Sequence, residues 1–156
     1  MTSTVEVVEF NLGGERYALD IQLAREIVEM IPITPIPRAP PFISGVINLR
    51  GEITNIMNLN TLLGLPDQKI RDNQKIIVLV PEAAGGSNVG IIVDDVSSVL
   101  QIADSDIEHM GEGISSEFST FVKGIIKAKS EDAEHKGKGL IIWIDMQKVL
   151  KDLANK

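Results

Sequence analysis

The chain has 156 residues, of which 44% are hydrophobic, and carries a formal charge of −7 with no cysteine. This length suits one domain or two small lobes sharing a core. The acidic balance, with no clustered basic patch, argues against binding to duplex nucleic acid or to anionic lipid, and the lack of cysteine excludes disulfides, thiolate catalysis and cysteine-ligated metal.

From the N-terminus, residues 8–12 alternate apolar and polar, and Tyr17, Leu19 and Ile21 alternate again beyond Gly13-Gly14. Two glycines between alternating runs predict a β-hairpin, because a tight turn requires positive φ. Asp20 is placed to cap a helix over residues 21–30. Gln22, Arg25, Glu26 and Glu29 would form its polar stripe, with Ile21, Ala24, Ile27 and Val28 turned inward. Five of the seven prolines fall in residues 32–41, which predicts a stiff extended connector. Residues 46–49 and 52–57 read as a second hairpin turning at Arg50-Gly51. A short helical turn at 61–63 is stopped by Gly64 and Pro66, and a polar loop follows to residue 75. Residues 76–80 and 89–93 are continuous β-branched runs, the pattern of strands buried on both faces. After Asp94 and Asp95 the chain continues extended over 96–102; residues 121–128 and 140–144 supply the last strands, around a charged loop at 129–139. Asp145 caps a final helix with Met146, Val149, Leu150 and Leu153 on one face. Many short strands with few helices predict a mostly-β barrel or sandwich rather than alternating βαβ units, and no internal repeat stands out.

Catalytic templates find no match. His109 has no second histidine or cysteine at ligand spacing, and His135, near Glu131 and Glu134, reads as part of a solvated loop. Asp94 and Asp95, as neighbours on a strand, point to opposite faces and cannot share a proton. Gly13-Gly14 lacks the third spaced glycine of a phosphate loop, and Ser115 and Ser116 lack a G-x-S-x-G context. Trp143 lies in an apolar strand and reads as core. The expectation is a binding protein with no catalytic residue, metal or cofactor. Residues 1–6 lack a basic segment followed by an apolar core, and no apolar run approaches a membrane span, so a cytoplasmic protein without direct membrane insertion is expected.

The segment Phe42-Ile43-Ser44-Gly45-Val46-Ile47-Asn48-Leu49-Arg50-Gly51 resembles the F-I-x-G-V-x-N-L-R-G block of CheW domains. Phe10-Asn11-Leu12-Gly13 with residues 17–21, the pair Glu26-Ile27, residues 89–96, Phe121-Val122-Lys123-Gly124 and residues 140–145 resemble further blocks of that family in the same order, from about residue 5 to 153. The stretch after the first block departs from it: Asn55 stands where the family usually has proline, Asn58 where it has aspartate, and Ala24 where valine is common.

The resemblance implies two small SH3-like five-stranded β-barrels packed together, with a first lobe at about residues 24–75 and a second built from the remaining N- and C-terminal segments. It also implies a non-catalytic adaptor that couples chemoreceptors to the histidine kinase CheA, recruited from the cytoplasm to membrane receptor clusters. The implied partners are the CheA regulatory domain and the cytoplasmic tip of a methyl-accepting receptor. The implied receptor-binding residues are Ala24, Glu26, Gly45, Arg50, Val96 and Val99. Candidate kinase contacts are Ile56, Met57 and Leu65. Glu26 and Arg50 are expected to form a salt bridge, and Gly45→Trp is expected to weaken receptor binding in a folded protein. The alternatives are a CheW-like adaptor of another two-component pathway and a small-molecule-binding β-barrel.

Overall fold

A computed structural model describes residues 4–66, 71–109, 121–127 and 139–154. Its strands are β1 (Thr4–Leu12), β2 (Glu15–Asp20), β3 (Ala24–Glu29), β4 (Ile43–Leu49), β5 (Glu52–Asn58), β6 (Lys75–Leu79), β7 (Val89–Val93), β8 (Asp95–Ala103), β9 (Ile107–His109), β10 (Val122–Lys127) and β11 (Leu140–Ile144). Among the described residues two α-helices, α1 (Leu59–Leu62) and α2 (Met146–Ala154), follow β5 and β11. One sheet has six strands in the order β8-β1-β2-β11-β10-β9; the other has five, β3-β6-β7-β5-β4. The mostly-β fold with two sheets and short helices is thus the expected one. The sixth strand, β9, is three residues long and among the described residues pairs only with β10, too short for any alternation to be read. The five-stranded sheet continues past residue 75, because β6 and β7 hydrogen-bond within it and carry it to Val93.

The predicted helix over 21–30 is not formed. A single 3-10 turn, Ile21–Leu23, leads into β3, which pairs antiparallel with β6. The polar positions of this segment fit a helical stripe, whereas the strand it forms turns Arg25, Ile27 and Glu29 outward and leaves Ala24, Glu26 and Val28 partly buried. Pairing with β6 satisfies its backbone groups and decides the outcome. Ile27, expected inside, is 43% exposed. A register shift between Ala24 and Glu26 turns Ala24 and Val28 toward different cores despite their even spacing. Asp20 makes no capping bond. Its carboxylate instead accepts from Trp143 Nε1 at 2.6 Å and from Lys123 Nζ at 3.0 Å, tying β2 to β11 and β10.

The central strands explain their unbroken apolar runs. In β6, Ile77 and Leu79 enter a core shared by the two sheets, while Ile76 and Val78 enter a second core within the five-stranded sheet. In the six-stranded sheet, Tyr17 and Leu19 of β2 face the shared core, and Ala18 faces a third core with Ile141 and Trp143. A strand between two cores has no polar face, so it reads as a continuous β-branched run.

A repeat that the sequence hides is visible in the topology. β4–β5 and β10–β11 are antiparallel pairs, and β5 and β11 each lie parallel to a neighbouring hairpin strand, β7 and β2 respectively. Each pair opens with Phe-x-x-Gly and a register shift just before the glycine. Each closes with an amide bonded to that phenylalanine's carbonyl, Asn58 to Phe42 at 2.7 Å and Asp145 to Phe121 at 2.8 Å. Asn58 and Asp145 then cap α1 and α2 through side-chain oxygens that accept from Thr61 N and Lys148 N. The sheets are related by circular permutation: the chain termini interrupt one unit and not the other.

Candidate functional site

The turn between β4 and β5 consists of Arg50 and Gly51, at φ 51° and 85°. Positive φ at both central residues marks the tight primed turn that matches strand twist. Asn48 Oδ1 accepts from Gly51 N at 2.9 Å and braces it. Arginine seldom holds a left-handed conformation, and here its guanidinium donates to Glu26 Oε1 of β3. Arg25 and Glu52 approach to 3.7 Å beside this pair. β3 and β4 are opposite edges of the five-stranded sheet, about 19 Å apart if it were flat. These contacts therefore require the sheet to curl until β3 meets the hairpin tip. The hydrogen bond from Arg50 holds the Glu26 carboxyl below its ordinary value of 4.5, against the opposing effect of partial desolvation.

The two edge strands β3 and β8 both start where the chain passes from one sheet to the other. Ala24, first in β3, and Val96, second in β8, are partly buried against the shared core. Farther along β8, Val99 is 53% exposed. Ala24, Glu26 and Arg50 thus belong to the five-stranded sheet, and Val96 and Val99 to β8 at the edge of the six-stranded sheet.

Gly45 behaves differently. At φ 147°, a Cβ there would lie 2.2 Å from the Thr34 carbonyl oxygen and 2.7 Å from Ile33 Cγ2. Thr34 and Val46 exchange backbone hydrogen bonds at 2.9 Å, so the close backbone approach that glycine permits is internal to the chain. The expectation that Gly45→Trp folds is corrected on this ground: no side chain fits without displacing the 33–34 segment.

Of the candidate kinase contacts, Ile56 is fully buried and packs beneath the β4–β5 face. Met57 and Leu65 are partly exposed and rest on the shared core. Met57 lines an open cleft of about 690 Å³ together with Phe42, Ile43, Ala84, Leu150 and Lys151, which come from β5, the start of β4, the 3-10 turn Pro81–Ala84 and α2. These segments are remote in sequence, so no local signal announces the cleft. Ile53, on the same strand, is 61% exposed.

Among the described residues no group of three His, Cys, Asp or Glu side chains could hold a metal, and no helix is long and apolar enough to cross a membrane. His135, Glu131, Glu134, Ser115 and Ser116 lie outside the described residues.

Comparison with known proteins places this geometry. The family described as CheW-like domain matches residues 6–154. The chemotaxis protein CheW of Thermotoga maritima is 30% identical over 151 residues, covering 97% of this chain and 91% of the relative. The chemotaxis protein CheW of Rhizobium meliloti is 34% identical over 122 residues, covering 78% of this chain and 76% of the relative. The crystal structure of the scaffolding protein TtCheW from Thermoanaerobacter tengcongensis matches with a TM-score of 0.73 at 32% identity, covering 91% of this chain and 89% of that one.

Proposed function

Because the chain belongs to the CheW-like domain family, we propose that it is a non-catalytic chemotaxis adaptor that couples receptors to the histidine kinase CheA. It works from the cytoplasm and is recruited to membrane receptor clusters through its partners. We read the two sheets as two lobes, one from residues 24–93 and one from the flanking segments. The receptor tip lies along their junction, against Ala24, Glu26, Arg50, Val96 and Val99. Gly45 supports this site indirectly, by letting the 33–34 segment pack against β4. The regulatory domain of CheA docks on the outer face of the β4–β5 hairpin, with Met57 and Leu65 in contact and Ile56 packing from beneath.

The observation that carries this reading is the pair of crossover strands β3 and β8, one from each sheet, whose opening residues Ala24 and Val96 rest partly exposed on the shared core. An arginine in a left-handed turn points across one of them. A backbone conformation unfavourable to arginine, occupied by arginine, points to a use for its side chain. An elongated helical partner fits a junction bordered by two edges, and partly exposed apolar side chains beside an ion pair give it both affinity and orientation.

Reconstitution tests the proposal. CheA autophosphorylation is measured with a receptor fragment and this protein, and with each component omitted in turn. Activation is expected only with all three present; receptor-independent binding to CheA with no effect on its activity overturns the reading. Arg50→Ala is expected to fold, to bind CheA within about twofold of the parent and to lose receptor affinity by about tenfold or more. The exchange Glu26→Arg with Arg50→Glu separates two roles: partial recovery assigns the pair to positioning, and no recovery assigns direct recognition to the guanidinium fork.

A further inference from the structure

We infer that Asp94 is a positioning residue whose carboxylate joins the two sheets and sets the gap between β3 and β8. The receptor consequence drawn below rests on the coupling function proposed above.

Asp94 is the single residue between β7, in the five-stranded sheet, and β8, at the edge of the six-stranded sheet. Its amide donates to the Asn11 carbonyl of β1 at 2.9 Å. Its Oδ2 accepts from the amide of Gly13 in the β1–β2 turn at 2.8 Å. Its Oδ1 accepts from an Arg71 guanidinium nitrogen at 2.8 Å and from Gln74 Nε2 at 3.0 Å, both in the segment entering β6. Gln74 is itself buried, and its Oε1 accepts from the Arg71 amide at 2.7 Å, so this anchor is fixed on its own side. One carboxylate therefore holds donors from both sheets at the point where the chain crosses between them.

The apolar interface between the sheets cannot do this alone. Burial of Phe10, Leu19, Ile77 and Ile91 is non-directional and tolerates small rotations, whereas a carboxylate with three donors has a preferred geometry. The ion pairs Arg16–Glu9, Lys123–Asp20 and Arg50–Glu26 each stay within one sheet. Asp20, at the other crossover, is anchored by Trp143 and Lys123 on the six-stranded side. β8 begins at the residue after Asp94, so rotation there swings Val96 and Val99 relative to β3.

The chain has no cysteine, so two can be introduced for labelling without background. Nitroxides are placed at Glu29→Cys on β3 and Ser98→Cys on β8, both exposed, and their separation is measured by double electron–electron resonance. A single narrow distance distribution is expected with Asp94. In Asp94→Ala the distribution is expected to broaden about twofold or to split, with circular dichroism and Trp143 fluorescence still native. An unchanged distribution in folded Asp94→Ala overturns the inference. Should that variant fail to fold, Asp94→Asn carries the test: it retains an oxygen for Gly13 but loses the charge facing Arg71, and an unchanged distribution there is equally fatal. A receptor-binding arm separates this inference from the functional reading. If the coupling geometry is populated a tenth of the time, receptor affinity falls about tenfold while CheA affinity holds. Broadening with unaltered receptor affinity upholds Asp94 as the positioning residue and removes the receptor from the junction.

Discussion

At the scale of single residues, Glu26 and Arg50 show how a surface pair can matter without contributing much to stability. Arg50 is largely exposed, so the pair orients the turn more than it holds the fold. Because the Glu26 carboxyl is held below its ordinary value of 4.5, the pair is fully present above that value and is lost as pH falls through the lower folded value. A carboxyl-detected NMR titration is expected to place Glu26 below 4.5 in the parent and return it toward 4.5 in Arg50→Ala; coincident titrations would show that the guanidinium does not govern it. Gly45 is the opposite case, a residue used for the side chain it lacks. Gly45→Ala must displace the Thr34 carbonyl and adopt φ 147°, and is expected to cost about 3 kcal/mol or more in urea unfolding. A cost under about 1 kcal/mol would mean that the 33–34 segment yields freely. Receptor-binding losses in position 45 variants are therefore to be read only after a fold check.

At the scale of elements, the repeated strand-pair-and-helix unit makes its own predictions. Gly124 in β10 mirrors Gly45: a Cβ there would lie 2.8 Å from the Glu108 carbonyl oxygen, which belongs to the paired strand β9. Gly124→Ala is expected to destabilise by about 1–3 kcal/mol, less than Gly45→Ala, because no positive φ adds to the crowding; the reverse order in denaturant unfolding would break the analogy. The cap of α2 is equally testable. Asp145→Ala removes the acceptor for Lys148 N at 3.1 Å and is expected to cost about 1 kcal/mol, with Asp145→Asn retaining most of it. Full-strength stability in Asp145→Ala would mean that packing of Met146 and Val149 alone holds the helix start. The hairpins, the buried strands and this cap were legible because turn glycines, β-branched runs and capping residues act over a few positions. β3 was misread because its polar spacing follows the helical period, and only pairing with β6 makes it a strand, with Ile27 turned outward.

At the scale of the whole molecule, the three cores are not independent. Strands β6 and β7 serve both the shared core and the core of the five-stranded sheet, so damage to one sheet reaches the other. Ile76→Ala removes a fully buried side chain from the five-stranded sheet's own core and is expected to cost about 2–5 kcal/mol. Trp143, the single tryptophan, lies in the six-stranded sheet. Its fluorescence transition in urea is nevertheless expected to shift together with the circular dichroism transition. A Trp143 midpoint left in place while circular dichroism moves would show two units unfolding separately. The same coupling ties the proposed receptor junction to both sheets, since Ala24 and Val96 rest on the core that they share.

The sequence by itself determined the strand-rich class, the hairpin turns, the helix cap at Asp145 and the family resemblance, because these depend on short-range chemistry and residue order. Only the tertiary structure decided that residues 24–29 form an edge strand and that the five-stranded sheet curls to bring Glu26 to Arg50. It alone gave Gly45 its partner in the chain's own Thr34, buried Ile56, and set the Asp94 carboxylate between the sheets. Each of these joins segments separated by about ten to eighty residues. Partner choice at that range depends on which backbone groups and apolar faces remain unsatisfied once local structure has formed.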